Sequence, residues 1–316
     1  MTYSSIEMCA GAGGQARGLE MAGFEHKALV EIDKHACSTL RRNRPQWNVI
    51  EADLHEWDPT PFTGVDLLAG GVPCPPFSVA GKQLGELDER ELFGRALQIV
   101  EIVKPRGAML ENVRGLLDPK FDGFREKVSS KLEKLGYVPQ WRLLQASDYG
   151  VPQLRPRVIC VALKPSDAQH FSWPEPNASA TKTVGETLKD LMGENGWAGA
   201  DDWAANASSI APTLVGGSKK HGGADLGPTR SRKAWAALGV DGSGLANDPP
   251  DENTPLNATP RLTVRMAARI QGFEDDWQFE GGKTAAYRQV GNAFPPPVAC
   301  RVGKQIINAW KESDER

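Results

Sequence analysis

Cysteine is scarce and scattered. The five residues Cys9, Cys37, Cys74, Cys160 and Cys300 are odd in number and include no closely spaced pair, which argues against a disulfide framework, a zinc finger or a redox couple. No apolar run approaches the roughly 20 residues needed to cross a bilayer, and the opening Met1-Thr2-Tyr3-Ser4-Ser5 lacks the charged and apolar regions of a signal peptide. A cytoplasmic protein with no membrane partner is expected. Positive charge is not in excess either: 37 Lys and Arg stand against 40 Asp and Glu, a formal net charge of -3. The chain as a whole therefore exerts no pull on nucleic acid, and any such partner must be met by a local basic surface. No internal repeat is visible. What is present, 40% hydrophobic and 24% charged residues over 316 positions, is the composition of an ordinary globular protein of one or two domains.

The first half alternates short apolar runs with helical patterns, as parallel β-α units do. Strands are expected at Ser4 to Cys9, Lys27 to Glu31, Val65 to Ala69, Gly107 to Glu111 and Arg157 to Leu163, with a further one before Asp53. Helices are expected at Gln15 to Ala22, His35 to Asn43, Leu92 to Val103 and Phe121 to Leu135, the last from Phe124, Val128, Leu132 and Leu135 at helical spacing. The implied fold is α/β, an open parallel sheet covered by helices. From Pro165 to about Pro260 the chain turns rich in Gly, Pro, Asn and Ser, with isolated tryptophans at 173, 197, 203 and 235 and little periodicity. That stretch reads as a smaller, loop-rich module. Helical patterning returns at Thr263 to Ile270 and from Val298 to Trp310.

The first strand runs into Ala10-Gly11-Ala12-Gly13-Gly14 and then a helix, so a nucleotide-like ligand could approach the backbone at a helix N-terminus. Glu31, ending the next strand some 20 residues on, is placed for ribose hydroxyls. The same turn also satisfies the dinucleotide pattern of a nicotinamide-dependent dehydrogenase, which stays open at this point. In an open parallel sheet, ligands sit beyond the carboxyl ends of the strands. Two groups stand there. Cys74 lies in Gly70-Gly71-Val72-Pro73-Cys74-Pro75-Pro76, a proline-bracketed turn that gives it no regular element to pack into, and it reads as a nucleophile. Glu111 follows an apolar strand, and a carboxyl so placed favours its protonated, hydrogen-bond-donating form. Arg155 and Arg157, two residues apart, point the same way if extended and suit a carbonyl or a phosphate.

Taken together and in order, these segments resemble the DNA cytosine-5 methyltransferases, of the bacterial or phage restriction-modification type. The glycine turn looks like the family's cofactor loop, with Ala10, Gly11, Gly13 and Gly14; Glu31 and Ile32 look like its ribose and adenine contacts, and Asp53 with Leu54 its contact to the exocyclic amine. Pro73-Cys74 resembles the nucleophile motif, Glu111-Asn112-Val113 the Glu-Asn-Val motif, and Gln153-Leu154-Arg155-Pro156-Arg157 the Gln-x-Arg-x-Arg motif. Arg261-Leu262-Thr263 through Gln271-Gly272-Phe273 resembles the motif supporting the recognition module, and Gln289 to Ala293, with Asn292 and Ala293, the last motif beside the cofactor. Three positions depart: Pro75 replaces the usual glutamine, Cys9 an aromatic residue, and Met266 a glutamate common in relatives.

The resemblance implies a Rossmann-like S-adenosylmethionine-dependent sheet over residues 1–167, completed by 284–316, with a target-recognition domain at 168–283. It implies S-adenosylmethionine as methyl donor, S-adenosylhomocysteine as product and no metal. Cys74 would add to C6 of a flipped cytosine, Glu111 would serve N3, Arg157 would hold O2 with Arg155 beside it, and the activated C5 would take the methyl group before losing its proton. Gly81 to Leu92 reads as a mobile loop over the flipped base. Ser78, Gln83, Lys219, Lys220, Arg230 and Arg232 are the candidate DNA contacts, the last four within a locally positive stretch from Ile210 to Trp235. Double-stranded DNA is the expected partner, with a cognate restriction endonuclease acting on the same site as a second. The setting would be a prokaryotic cytoplasm, near the nucleoid, or a phage-infected cell. A tRNA cytosine-5 methyltransferase is the main alternative.

Overall fold

The computed structural model describes residues 2–73, 89–177, 181–217 and 223–315, with backbone alone for 89–91. Seven strands form one sheet: β1 (Tyr3–Met8), β2 (Phe24–Glu31), β3 (Val49–Glu51), β4 (Leu67–Gly70), β5 (Gly107–Val113), β6 (Val138–Gln145) and β7 (Pro156–Leu163), in the order β3-β2-β1-β4-β5-β7-β6. Central strands such as β4 are buried on both faces and apolar throughout, as strands covered by helices on each side must be. From β1 the chain winds outward to β2 and β3, then crosses back to β4 on the other side of β1. The sheet's switch point therefore lies between the carboxyl ends of β1 and β4, where the glycine turn and Gly70-Gly71 stand.

The expected all-parallel sheet needs one correction. β7 runs antiparallel to both neighbours, with Val113 opposite Arg157 and Leu110 opposite Cys160 on the β5 side, and Leu144 opposite Arg157 on the β6 side. The strand β6 went unread in the sequence because it lies at the sheet's edge, where half-exposed residues and Pro139 break the alternation.

Helices α1 (Gly14–Ala22), α2 (Lys34–Asn43), α3 (Glu89–Val103) and α4 (Asp122–Lys134) connect the strands much as their periodicity implies. Asp33 caps α2 by accepting from the N–H groups of His35 and Ala36. After the short α5 (Pro165–Ala168) come α6 (Val184–Met192), α7 (Ala200–Asn206), α8 (Thr229–Ala236) and α9 (Val264–Gln271), then α10 (Lys283–Asn292) and α11 (Pro296–Asp314). Three of the four isolated tryptophans turn out to build a core within the stretch read as loop-rich, while Trp173 packs edge-on against Phe171 in another cluster. Trp197, Trp203 and Trp235 are buried in one apolar cluster with Leu188, Leu226, Leu262 and Met266, continuous with Ala16, Leu29 and Trp47 of the sheet region. The Trp197 and Trp203 indoles donate to the carbonyls of Pro255 and Gly239. Met266, where a glutamate was noted as usual, completes a cap on α9 with its sulfur accepting from the N–H of Thr263 at 3.4 Å.

The C-terminal helix closes one face of the sheet. Trp310 on α11 is fully buried against Tyr3 of β1 and Phe24 of β2, with ring centroids 5.0 and 5.8 Å apart. Truncation there leaves a cavity that the rigid surroundings cannot fill. Trp310→Ala is expected to lower the unfolding free energy by about 3–5 kcal/mol in urea denaturation, and a change under about 1 kcal/mol would mean that α11 is not part of the core.

Candidate active site

At the switch point a cleft of about 320 Å³ is bordered by the glycine turn on one side and by Gly71 and Pro73 on the other. Gly13 takes a left-handed φ of 86° as it caps α1, and a Cβ on Gly14 would lie 2.2 Å from the carbonyl oxygen of Phe294, so this turn closes only with glycine. Glu31 fastens it. One carboxylate oxygen accepts from the N–H of Gly11 at 2.7 Å, and the other from the N–H groups of Ile32 and Asp33 at 2.8 and 2.7 Å. Of the residues expected to hold a cofactor, Ala10, Gly11, Gly14, Glu31, Ile32, Asn292 and Ala293 line this cleft. Gly13 lies behind it against Leu40 and Trp277. Asp53 and Leu54 are not among the lining residues: Asp53 accepts from the N–H of His55, and Leu54 is buried with its carbonyl on Arg95.

The cleft also contains polar groups that the sequence reading passed over. Glu7, on β1, is 1% exposed, and one of its carboxylate oxygens has no partner among the described residues. Burial drives its pKa well up, the charges of Glu31 and Glu111 add to this, and the N–H of Ala16 opposes it. Gln15 lines the same wall with both amide atoms unpartnered among the described residues, and Arg288 adds an Nε without a partner among them. Ile32 is 63% exposed although apolar, a flat surface left open beside the cleft. These groups fit a ligand that has an aromatic base at one end and mixed donors, acceptors and charges at the other. S-adenosylmethionine has that make-up. A charged residue inside a strand that leads into a glycine turn was the available signal for Glu7; Gln15 offered none.

Beyond Gly71, Glu111 and Arg157 form a buried ion pair, Arg157 Nε to Glu111 Oε1 at 2.7 Å, each side chain 11% exposed. Burial raises the Glu111 pKa, while Arg157 and Arg155 pull it back. The carboxyl abuts the turn: a Cβ on Gly71 would lie 3.0 Å from Glu111 Oε2. Next along the strand, the Asn112 amide donates to the carbonyl of Val72 at 2.9 Å, tying β5 to the segment that leads into Pro73. Cys74 itself, with Ser78, Gln83 and most of the Gly81 to Leu92 loop, lies outside the described residues, as do Lys219 and Lys220.

The family model for C-5 cytosine-specific DNA methylase matches residues 3–308. The chain belongs to that family. It is 58% identical over 314 residues to the Type II methyltransferase M.NaeI of Lentzea aerocolonigenes, covering 98% of this chain and 76% of that one. To the Type II methyltransferase M.NgoMIV of Neisseria gonorrhoeae it is 55% identical, covering 99% and 100%. Its fold is similar to that of Spodoptera frugiperda DNMT2, with a TM-score of 0.68 at 17% identity over 97% of this chain and 100% of the other. The dehydrogenase reading of the glycine turn is thereby set aside, and the enzyme is a DNA (cytosine-5) methyltransferase on an S-adenosylmethionine-type α/β fold.

Within this methylase, Arg155 and Arg157 do different things. Arg155 is fully buried, and its guanidinium donates to the carbonyls of Leu214, Gly291 and Ala293 at 2.8, 2.7 and 2.9 Å. It joins the segment at Leu214 to the wall of the cleft and, with its donors on backbone carbonyls, offers little to a substrate. Gln153 takes part in the same bracket, accepting from the N–H of Leu214 and donating to Gln271. Arg230 and Arg232 stand exposed on α8 with no ion pair to any described residue. No helix among the described residues is long and apolar enough to cross a membrane.

Because its folded pKa is raised, Glu7 contributes stability that is full below its unfolded pKa of about 4.5 and lost as pH rises through the folded value. Glu7→Gln is therefore expected to raise the urea midpoint of the ligand-free enzyme at pH 8, with the gain vanishing as pH falls toward 4.5. A gain that is independent of pH would show that the Glu7 charge is not the cause.

Proposed function

We propose that this enzyme methylates C5 of a cytosine flipped out of duplex DNA, through a covalent adduct between Cys74 and C6. The observation that carries the reading is the buried Glu111–Arg157 pair beside Gly71, three residues before Cys74 and across the cleft from the glycine turn. Cytosine C5 is a poor nucleophile until C6 is saturated. The Cys74 thiolate forms the S–C6 bond, and the electrons of the C5–C6 double bond are drawn toward N3, where Glu111 donates its proton. Arg157 holds the O2 carbonyl and keeps the carboxyl aimed. S-adenosylmethionine in the cleft supplies the methyl group that C5 takes up, and S-adenosylhomocysteine remains. A water molecule takes the C5 proton, the C5–C6 double bond re-forms as the Cys74 thiolate leaves C6, and Glu111 recovers from N3 the proton it gave. No step calls for a metal.

The division into residues 1–167 with 284–316 and an inserted 168–283 that reads the DNA is part of the same proposal. Its support is the exposed Arg230 and Arg232 and the bracket by which Arg155 ties the insert to the cleft. The Type II names of the relatives favour a restriction-modification setting with a cognate endonuclease, and a cytoplasmic location near the DNA.

Mapping of 5-methylcytosine in DNA from cells expressing the protein is expected to show methylation at one short recurring sequence, absent with Cys74→Ala. Methylation of RNA with none in DNA would overturn the reading. Glu111→Gln is expected to slow single-turnover methylation about 100-fold or more while DNA affinity changes little, and a loss confined to affinity would assign the carboxyl a structural role. DNA affinity should fall with salt at a logarithmic slope of about 0.9 per phosphate contacted.

A further inference from the structure

Gln15 is 3% exposed, sits in the first turn of α1, and lines the cleft, yet neither its amide nitrogen nor its amide oxygen has a partner among the described residues. A primary amide so deeply buried keeps neither of its polar atoms bare without cost unless something else completes it. We propose that the completing group is the amino-acid end of S-adenosylmethionine, which makes Gln15 a cofactor-positioning residue. The proposal rests on the reading of the cleft given above.

Three observations place that end at Gln15. The adenosine end has its own markers, since Ile32 presents an exposed apolar face and Glu31 a carboxylate at the far end of β2. Gln15 lies elsewhere, one residue before Ala16, whose N–H faces the Glu7 carboxyl, and Glu7 stands on β1 in register with Ala69 of β4, toward Gly71 and the reacting groups. The charges also complement a zwitterion. Glu7 offers a carboxylate to an ammonium group and Arg288 an unpartnered guanidinium nitrogen to a carboxylate, both in the wall of the same cleft. An amide can donate to one of those ligand groups and accept from the other, which fixes the orientation of the chain that ends in the sulfonium. With Glu7 partnered by an ammonium group, its buried carboxyl is no longer forced toward the neutral form.

The test uses two nucleosides that differ only at that end, S-adenosylhomocysteine and 5′-methylthioadenosine, titrated calorimetrically into the full-length protein. Gln15→Leu is expected to weaken S-adenosylhomocysteine about tenfold and to leave 5′-methylthioadenosine within about twofold. Equal losses for both nucleosides, or no loss for S-adenosylhomocysteine, would overturn the assignment of Gln15. Wild-type protein that binds neither nucleoside would instead overturn the cofactor reading itself. If the leucine variant does not melt as a folded protein, Gln15→Met, which keeps the unbranched length, carries the same comparison.

Discussion

Arg157 reaches Glu111 only because β7 runs against β5. In the antiparallel register Arg157 lies opposite Val113, so it is a diagonal neighbour of Glu111 on the same face of the sheet. Had the eight residues of β7 run parallel to β5, its first residues would begin at the opposite edge, about 23 Å from the carboxyl ends where the cleft lies. The reversal thus brings a guanidinium to a carboxyl that the fold has already stripped of water. A buried pair of this kind adds little to stability, because the desolvation of both charges offsets their attraction. Its use is to fix the direction of a carboxyl whose pKa burial raises and the guanidinium lowers.

A second buried arginine organises the molecule at larger scale. Arg155 meets backbone carbonyls from the insert at Leu214 and from the cleft wall at Gly291 and Ala293, while Asn292 between them lines the cleft and donates to Gly217. The backbones approach so closely that a Cβ on Gly291 would lie 2.4 Å from the nitrogen of Gly216. The segment around Leu214 and the segment that borders the cleft at Gly291 to Ala293 are therefore fastened to the same side chain, so displacement of either one moves the other's support.

The parts of this arrangement that the sequence made legible are those written in short range. The glycine turn, the helices α1 to α4 and Glu31 at the end of β2 follow from spacing alone, because each depends on neighbours within a few positions, whereas Glu111, expected to end its strand, lies two residues inside β5 because pairing with β7 carries the strand on to Val113. Strand direction does not leave such a trace, and so, although the family resemblance set Arg157 and Glu111 on one ring, nothing in the sequence showed that they pair with each other. The stretch read as loop-rich is a different case: Val184, Leu188, Leu191 and Met192 do recur at helical spacing behind a Thr183–Glu186 capping box, but the tryptophans that complete their core come singly from separate segments and leave no periodic trace. Glu7 and Gln15 escaped notice because a buried polar residue acquires meaning only from the cavity it borders. Asp53 and Leu54 were legible as a motif, yet they stand outside the wall that the described residues form.

The most direct measurement is of the covalent bond itself. Duplex DNA carrying 5-fluorocytosine at the methylated position, incubated with the enzyme and S-adenosylmethionine, presents a C5 that can accept the methyl group but cannot release fluorine as a cation. The elimination that frees the thiol is then blocked. Mass spectrometry of the digested complex is expected to find a methylated fluoropyrimidine attached to Cys74. An enzyme that methylates ordinary cytosine yet forms no such complex, or forms it through Cys9 or another residue, would contradict the account.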